Sequence, residues 1–243
     1  MNMTQHQGIL ERVLNRLLRE ARGDESLALY MTPSRRIGVL YDPGALLQIL
    51  RNSSSVPYAS NVLQTVRGYV YLGVPGSFPC RGSLRVSLSA GPGVGEVLYS
   101  VALAMAHPRR LVSDRAAVSL RARARWKKIK DAGKNDALPL DDAYGPGHSD
   151  DDTRSTHKNP ETPFHQSWHT DDPDDDCEML SGDDVATSYA YRANSADLAR
   201  LAFLGARHRE TLRRAEAAGF TGSTSELELS LLQAGNSFFD EQY

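Results

Sequence analysis

The residues most able to do chemistry in this chain are three glycines at the expected end of a strand. Gly91, Gly93 and Gly95 follow residues 84–90, where apolar and polar side chains alternate as in a half-buried strand. Apolar residues then recur at helical spacing over 97–104. Backbone N–H groups at a helix start and the helix dipole both favour an anion, so this pattern predicts a phosphate-binding turn. The alternative is a tight turn that only joins a strand to a helix.

Cysteine and histidine residues offer a second set of candidates. Cys80 and Cys177 lie far apart in dissimilar surroundings, which predicts no disulfide; Cys80 is expected to be a small buried residue. His165 and His169 have the spacing of two zinc ligands on a helix, and the aspartates of 171–176 offer oxygen ligands to Ca²⁺ or Mg²⁺. The polar, proline-bearing surroundings favour a solvated acidic loop instead, so no metal site is predicted.

Composition limits the class of protein. The chain has 243 residues and a formal net charge of -2, enough for one well-cored domain with appendages or two small ones. No apolar run is long enough to span a bilayer, and residues 1–7 lack the basic and apolar blocks of a secretory signal. A cytoplasmic protein with no membrane partner is therefore expected.

The charge is strongly segregated along the chain. Residues 109–134 are basic, whereas 141–184 are acidic. The two blocks can neutralise each other or face different partners. The expected helix 119–132 carries arginines and lysines around Trp126, and such cations bind the phosphates of nucleic acid. Nucleic acid is nevertheless the weaker of the partner predictions.

The order of predicted elements is that of an α+β protein. Leu84, Val86 and Leu88 are expected on the buried face of their strand. Four regions follow from the pattern: an N-terminal helix within 1–22, a core over 23–139, an acidic loop-rich segment over 140–192 and a C-terminal helical extension over 193–243. The remaining predicted elements are helices over 4–21, 43–51, 196–218 and 226–233, and strands over 27–32, 36–41, 64–74 and 110–114.

The succession of strand, glycine turn, helix, short strand and arginine-rich helix resembles the cofactor half of the GNAT superfamily of N-acetyltransferases. That family's loop reads Gln/Arg-x-x-Gly-x-Gly/Ala; residues 90–95 keep its two glycines and place Ala90 at the first position. A narrower resemblance, over roughly 65–192, is to GNAT-like proteins of tailed bacteriophages. The segments that carry it are 93–99, 111–115, 118–119 with Trp126, 159–163 and 174–177.

The resemblance implies a mixed, mostly antiparallel sheet flanked by helices, and acetyl-coenzyme A as the cofactor. It implies acyl transfer to an amine on a small molecule or a protein. Since the usual helix offers no tyrosine, Tyr99 is the expected acid, with Tyr189 and Tyr191 as alternatives, and Glu96 or Asp114 is the expected base. The residues expected to hold the cofactor are Leu88, Ala90, Gly91, Gly93, Val94, Gly95 and Glu96.

Two other functions stay open on the same resemblance. One is a non-catalytic virion or assembly protein, whose partners are other phage structural proteins or further copies of itself. The other is modification of DNA bases. The resemblance places the protein in the cytoplasm of the infected bacterium or in the virion. An enzyme should show an open cleft beside the glycine turn, whereas a structural protein should have that cleft filled by apolar side chains.

Overall fold

A computed structural model describes residues 26–53, 55–73, 83–113, 118–140, 187 and 189–240. The predicted helix over 4–21 and the acidic segment 141–184 lie outside these residues. Among the described residues, seven strands form one sheet: β1 Ala28–Met31, β2 Ile37–Tyr41, β3 Val66–Gly73, β4 Ser83–Ala90, β5 Arg110–Val112, β6 Ala137–Pro139 and β7 Tyr189–Tyr191.

The sheet is mixed and mostly antiparallel. Its strand order is β1-β2-β3-β4-β5-β7-β6. Strands β4 and β5 form a parallel pair, and the other neighbours run antiparallel. Parallel neighbours need a crossover, which a helix between them supplies. The predicted α+β class and mostly antiparallel sheet are confirmed.

Six helices of the described chain surround this sheet: α1 Pro43–Arg51, α2 Ala59–Leu63, α3 Gly95–Ala106, α4 Leu120–Ala132, α5 Ser195–Ala217 and α6 Thr224–Asp240. Helices α1 and α4 begin where their sequence signals place them. The Asp42 carboxylate accepts from two N–H groups of α1, and the Ser119 hydroxyl accepts from the Ala122 N–H of α4. Gly133 ends α4 in the left-handed region, at φ 58°.

Each face of the sheet has its own core. In the first core, on one face, α3 packs with Leu40, Val70 and Leu84. In the second core, on the other face, α1 and α6 pack with Val39 and Tyr69. Helix α5 contributes to both cores and contacts edge strand β1, where the Arg207 Nε donates to the Leu27 carbonyl at 2.8 Å. The edge is therefore covered. Among the described residues, no helix is both long and apolar enough to cross a membrane.

A polar cluster ties α5 to the second core. The Tyr41 hydroxyl lies 2.8 Å from Nδ1 of His208, and Nε2 of His208 lies 3.3 Å from a carboxylate oxygen of Glu228 on α6. Burial lowers the pKa of His208 from its ordinary 6.5, while the contact with Glu228 opposes that shift. Burial also raises the pKa of Tyr41. The folded protein therefore favours neutral His208.

Stability should fall on acidification through this cluster. The unfolded chain binds a proton at His208 more readily than the folded protein does, so stability declines as the pH drops from 6.5 toward the lower pKa of the folded state. One proton contributes a slope of up to about 1.4 kcal/mol per pH unit. Denaturant unfolding of wild type and His208→Gln between about pH 5 and pH 8 measures how steeply the free energy of unfolding depends on pH in each protein. Equal slopes in the two proteins would contradict the prediction.

Candidate functional site

The glycine turn between β4 and α3 exposes the start of a helix. The Val94 N–H donates to the Gly91 carbonyl at 3.2 Å, and Gly93 has φ 81°, a conformation that side chains rarely adopt. Val94 is the N-cap of α3 and makes no side-chain capping hydrogen bond. The first-turn N–H groups of α3 therefore point toward the turn without a side-chain acceptor from their own cap.

The turn has a packed side and an open side. A Cβ on Gly91 would lie 2.9 Å from Cγ2 of Val94, and a Cβ on Gly68 would lie 3.1 Å from that atom. These two glycines make room for the Val94 side chain, which anchors the turn against the core. At Gly93, by contrast, a Cβ would meet nothing within 4 Å. The open side can therefore accept a ligand close to the backbone.

A cation lies at the same helix start. A Cβ on Gly95 would be 3.5 Å from Nη2 of Arg125, and Nη1 of Arg125 is 3.5 Å from the carboxylate of Glu96. The Glu96 side chain is 76% exposed, so this ion pair is weak. Arg125 adds positive charge where the helix dipole already favours an anion. Sequence reasoning missed Arg125 as a site residue, because its approach to α3 is a tertiary contact.

Strand β4 is bulged where its pairing with β5 ends. The β4–β5 ladder covers residues 83–85 only. Across from β3, Leu72 pairs with Val86 and Tyr71 pairs with Leu88, so Ser87 is an extra residue in β4. A Cβ on Gly73 would clash with the Ser87 hydroxyl. Glycine at position 73 therefore accommodates the bulge.

The bulge overturns one predicted pattern. Residues opposite each other in an antiparallel pair share a face, and Ser89 pairs with Val70 of the first core. Ser89, and not Leu88, therefore shares the face of Leu84 and Val86. The prediction that Leu88 lies on the buried face is wrong, since one inserted residue reverses the side-chain alternation. Leu88 is 37% exposed.

A cavity of about 380 Å³ lies beside the bulged part of β4. Residues 86–89 form one side of it, and Tyr99 of α3 and Ala122 of α4 form another. Trp126 and Phe239 complete its aromatic wall. Among the described residues, no Asp, Glu, Lys or Arg side chain lines this cavity. It can therefore accept an uncharged group.

Aromatic packing fixes the wall of the cavity that α4 provides. Trp126 is 1% exposed. Its ring packs edge-on against the Tyr99 ring, with 5.2 Å between the ring centroids, and stacks on the Tyr191 ring, with 5.4 Å between the centroids. Tyr191 is thus buried behind Trp126, and Tyr189 lies beyond it, 6.2 Å from Tyr191. Burial raises the pKa of Tyr189. Of the three candidate tyrosines, Tyr99 is the one that lines the cavity.

The structure brings together some of the predicted site residues. Leu88 and Tyr99 both line the cavity, and Gly91, Gly93 and Gly95 form the turn next to it. Ala90 is buried at the end of β4, where it pairs with Tyr69. Glu96 lines a neighbouring groove instead of the cavity.

Other predicted candidates lie outside the described residues. They are Asp114, Cys80, Cys177, His165, His169 and the aspartates of 171–176. Within the part of the chain that the structure describes, no group of three or more His, Cys, Asp and Glu side chains is placed to hold a metal ion.

Comparison with protein families, with curated proteins and with solved structures found no match to this chain. The functional assignment therefore depends on the geometry of the cavity and the turn.

Proposed function

We propose that the chain is an acyl-thioester-dependent N-acyltransferase with a GNAT-like sheet, and that acetyl-coenzyme A is its acyl donor. The observation that carries the proposal is the cavity of about 380 Å³ beside bulged β4, whose described lining carries no charged side chain, next to a glycine turn that opens a helix. Such a donor combines a charged diphosphate with a long uncharged arm. The site offers a surface suited to each part.

The turn suits the diphosphate. The α3 N–H groups, the helix dipole and the Arg125 guanidinium all favour negative charge at residues 91–95. The absence of a side chain at Gly93 leaves the backbone accessible. In this proposal Val94 acts through its partly buried side chain, which holds the turn in shape.

The cavity suits the thioester arm. That arm is extended and contains amide groups, and a strand edge binds such a ligand through main-chain hydrogen bonds. The strand that meets the arm is β4, beyond the end of its ladder with β5. Apolar contacts come from Val86, Trp126 and Phe239.

Bound there, the thioester supplies an activated acyl group to an amine. The amine nitrogen forms the C–N bond and loses a proton to a base, while the C–S bond breaks and the leaving thiolate gains a proton. The Tyr99 hydroxyl is the group of the cavity wall suited to protonate the departing sulfur. Glu96 lines the neighbouring groove and not the cavity, which weakens its case as the base. Asp114, outside the described residues, stays a prediction for that role.

A non-catalytic virion or assembly protein is the alternative function. Such a protein would be expected to fill the cleft beside β4 with apolar side chains. The open cavity supports acyl transfer over this alternative. Modification of DNA bases is a weaker proposal, which rests on the cations of α4. A bacteriophage source, with residence in the host cytoplasm or the virion, stays a prediction.

Thermal unfolding with and without acetyl-coenzyme A tests the proposal. Wild type is expected to gain about 2.7 kcal/mol of stability at a ligand concentration of 100 Kd. The double variant Gly93→Asp, Gly95→Asp should lose this gain, because two carboxylates repel the diphosphate.

Gly93→Asn, Gly95→Asn is the matched control: it adds similar volume without charge, and Asn tolerates positive φ. It should retain part of the gain. If wild type is not stabilised at millimolar ligand, the proposal is overturned in favour of the structural alternative.

A further inference from the structure

A row of apolar side chains crosses three strands beside the end of α6. Ile37 of β2 lies directly opposite Tyr71 of β3, and Tyr71 lies directly opposite Leu88 of β4. Opposed residues of antiparallel strands share a face, so Ile37, Tyr71 and Leu88 form one apolar row. Ile37 packs against the second core, whereas Tyr71 and Leu88 are each 37% exposed. The apolar row therefore continues the surface of the second core out to solvent.

Helix α6 covers the neighbouring row of the same face. That row includes Val39 and Tyr69, which lie directly opposite each other. A Cβ on Gly235 would lie 2.9 Å from atoms of both residues, so the backbone of α6 lies against them. Phe239, in the last turn of α6, has its ring centroid 6.2 Å from that of Tyr69. The helix therefore ends beside the apolar row.

The apolar row adjoins the cavity beside β4. Leu88 belongs to both, and Phe239 also lines the cavity. The cavity is lined as well by Tyr99 and Trp126, which belong to the first core. It therefore has lining residues from both faces of the sheet, beyond the point where the β4–β5 ladder ends. A ligand held along β4 in the cavity can meet a second ligand that lies on the apolar row.

We propose that the apolar row binds the substituent of the acyl acceptor, so that the protein selects amines that carry an aliphatic or aromatic group. The inference rests on the proposed function, which assigns the thioester arm to the cavity. Burial of apolar area on Tyr71 and Leu88 supplies the binding free energy. An apolar substituent gives up no hydrogen bonds to water when it covers this row, whereas a polar substituent does.

Initial rates of acetylation of heptylamine and of methoxyethoxyethylamine test the inference. The two amines have chains of equal length, and ether oxygens replace two methylene groups in the second. Wild type is expected to have a kcat/KM about tenfold higher for heptylamine, because two more methylene groups leave water. In Tyr71→Ser, Leu88→Ser this ratio should approach one. The control Tyr58→Ser, Leu229→Ser makes the same chemical changes at exposed positions outside the row and the cavity, and it should keep the ratio of wild type.

Saturation-transfer NMR of heptylamine with each variant separates the possible failures. If both amines are acetylated with equal kcat/KM, or if the control variant loses the ratio as strongly as the row variant, the inference is overturned while acyl transfer stands. If heptylamine binds, with a loss in the row variant alone, but is not acetylated, the proposed function fails and the row stands as a site for apolar amines. If heptylamine is neither acetylated nor bound, the inference is overturned, and thermal unfolding with acetyl-coenzyme A decides the proposed function separately.

Discussion

Ala122→Phe is expected to bind acetyl-coenzyme A about 100-fold more weakly than wild type while remaining folded. Ala122 lies in the first turns of α4 and lines the cavity beside β4. A benzyl group at this position would occupy space that the proposal assigns to the thioester arm. Because the cavity is open, the added ring can be accommodated without displacing the packed residues of the core.

Ala124→Phe is the matched control for this variant. It makes the same chemical change two residues along the same helix, at an exposed position that does not line the cavity. Calorimetric titration should therefore give an affinity close to that of wild type. Similar affinities for wild type and Ala122→Phe would show that the acyl donor does not enter this cavity, whatever the thermal stability of the variant.

Trp126→Ala is expected to lower the free energy of unfolding by about 3–5 kcal/mol. Trp126 is the only buried residue of α4, and its ring contacts Tyr99 of α3 and Tyr191 of β7. Removing it leaves a void and releases the one fully buried side chain of a helix that is otherwise rich in cations. Denaturant unfolding monitored by circular dichroism measures the change.

Trp126→Phe provides the comparison, because it keeps an aromatic ring in the same pocket. Its loss should be clearly smaller than that of the alanine variant. A loss of less than about 1 kcal/mol in Trp126→Ala would mean that α4 docks through other contacts. In that case Trp126 would not be the anchor that positions the cavity wall.

Elements with strong local signals could be predicted from the sequence. Helix α1 follows an Asp cap and a proline, and α4 lies between the Ser119 cap and Gly133. Each of these signals acts within a few residues of the element that it bounds. The succession of β4, glycine turn and α3 was predicted for the same reason.

Short or atypical elements could not be predicted in this way. Helix α2 has five residues and β7 has three, too few for a periodic pattern. Helix α6 extends to Asp240, past its predicted end at 233, even though it contains Gly235. A Cβ on Gly235 would lie 2.9 Å from atoms of both Tyr69 and Val39, so close packing on the sheet maintains the helix there.

Within the site, the sequence by itself determined the glycine turn and the helix start that makes it attractive to anions, because both depend on neighbouring residues and backbone chemistry. Only the tertiary structure decided the bulge at Ser87, since register is a property of two paired strands. It also decided the position of Arg125, 29 residues from Glu96, and the two recesses that share Tyr99. These features form where separate elements pack together, and no local pattern in the chain encodes the distances between them.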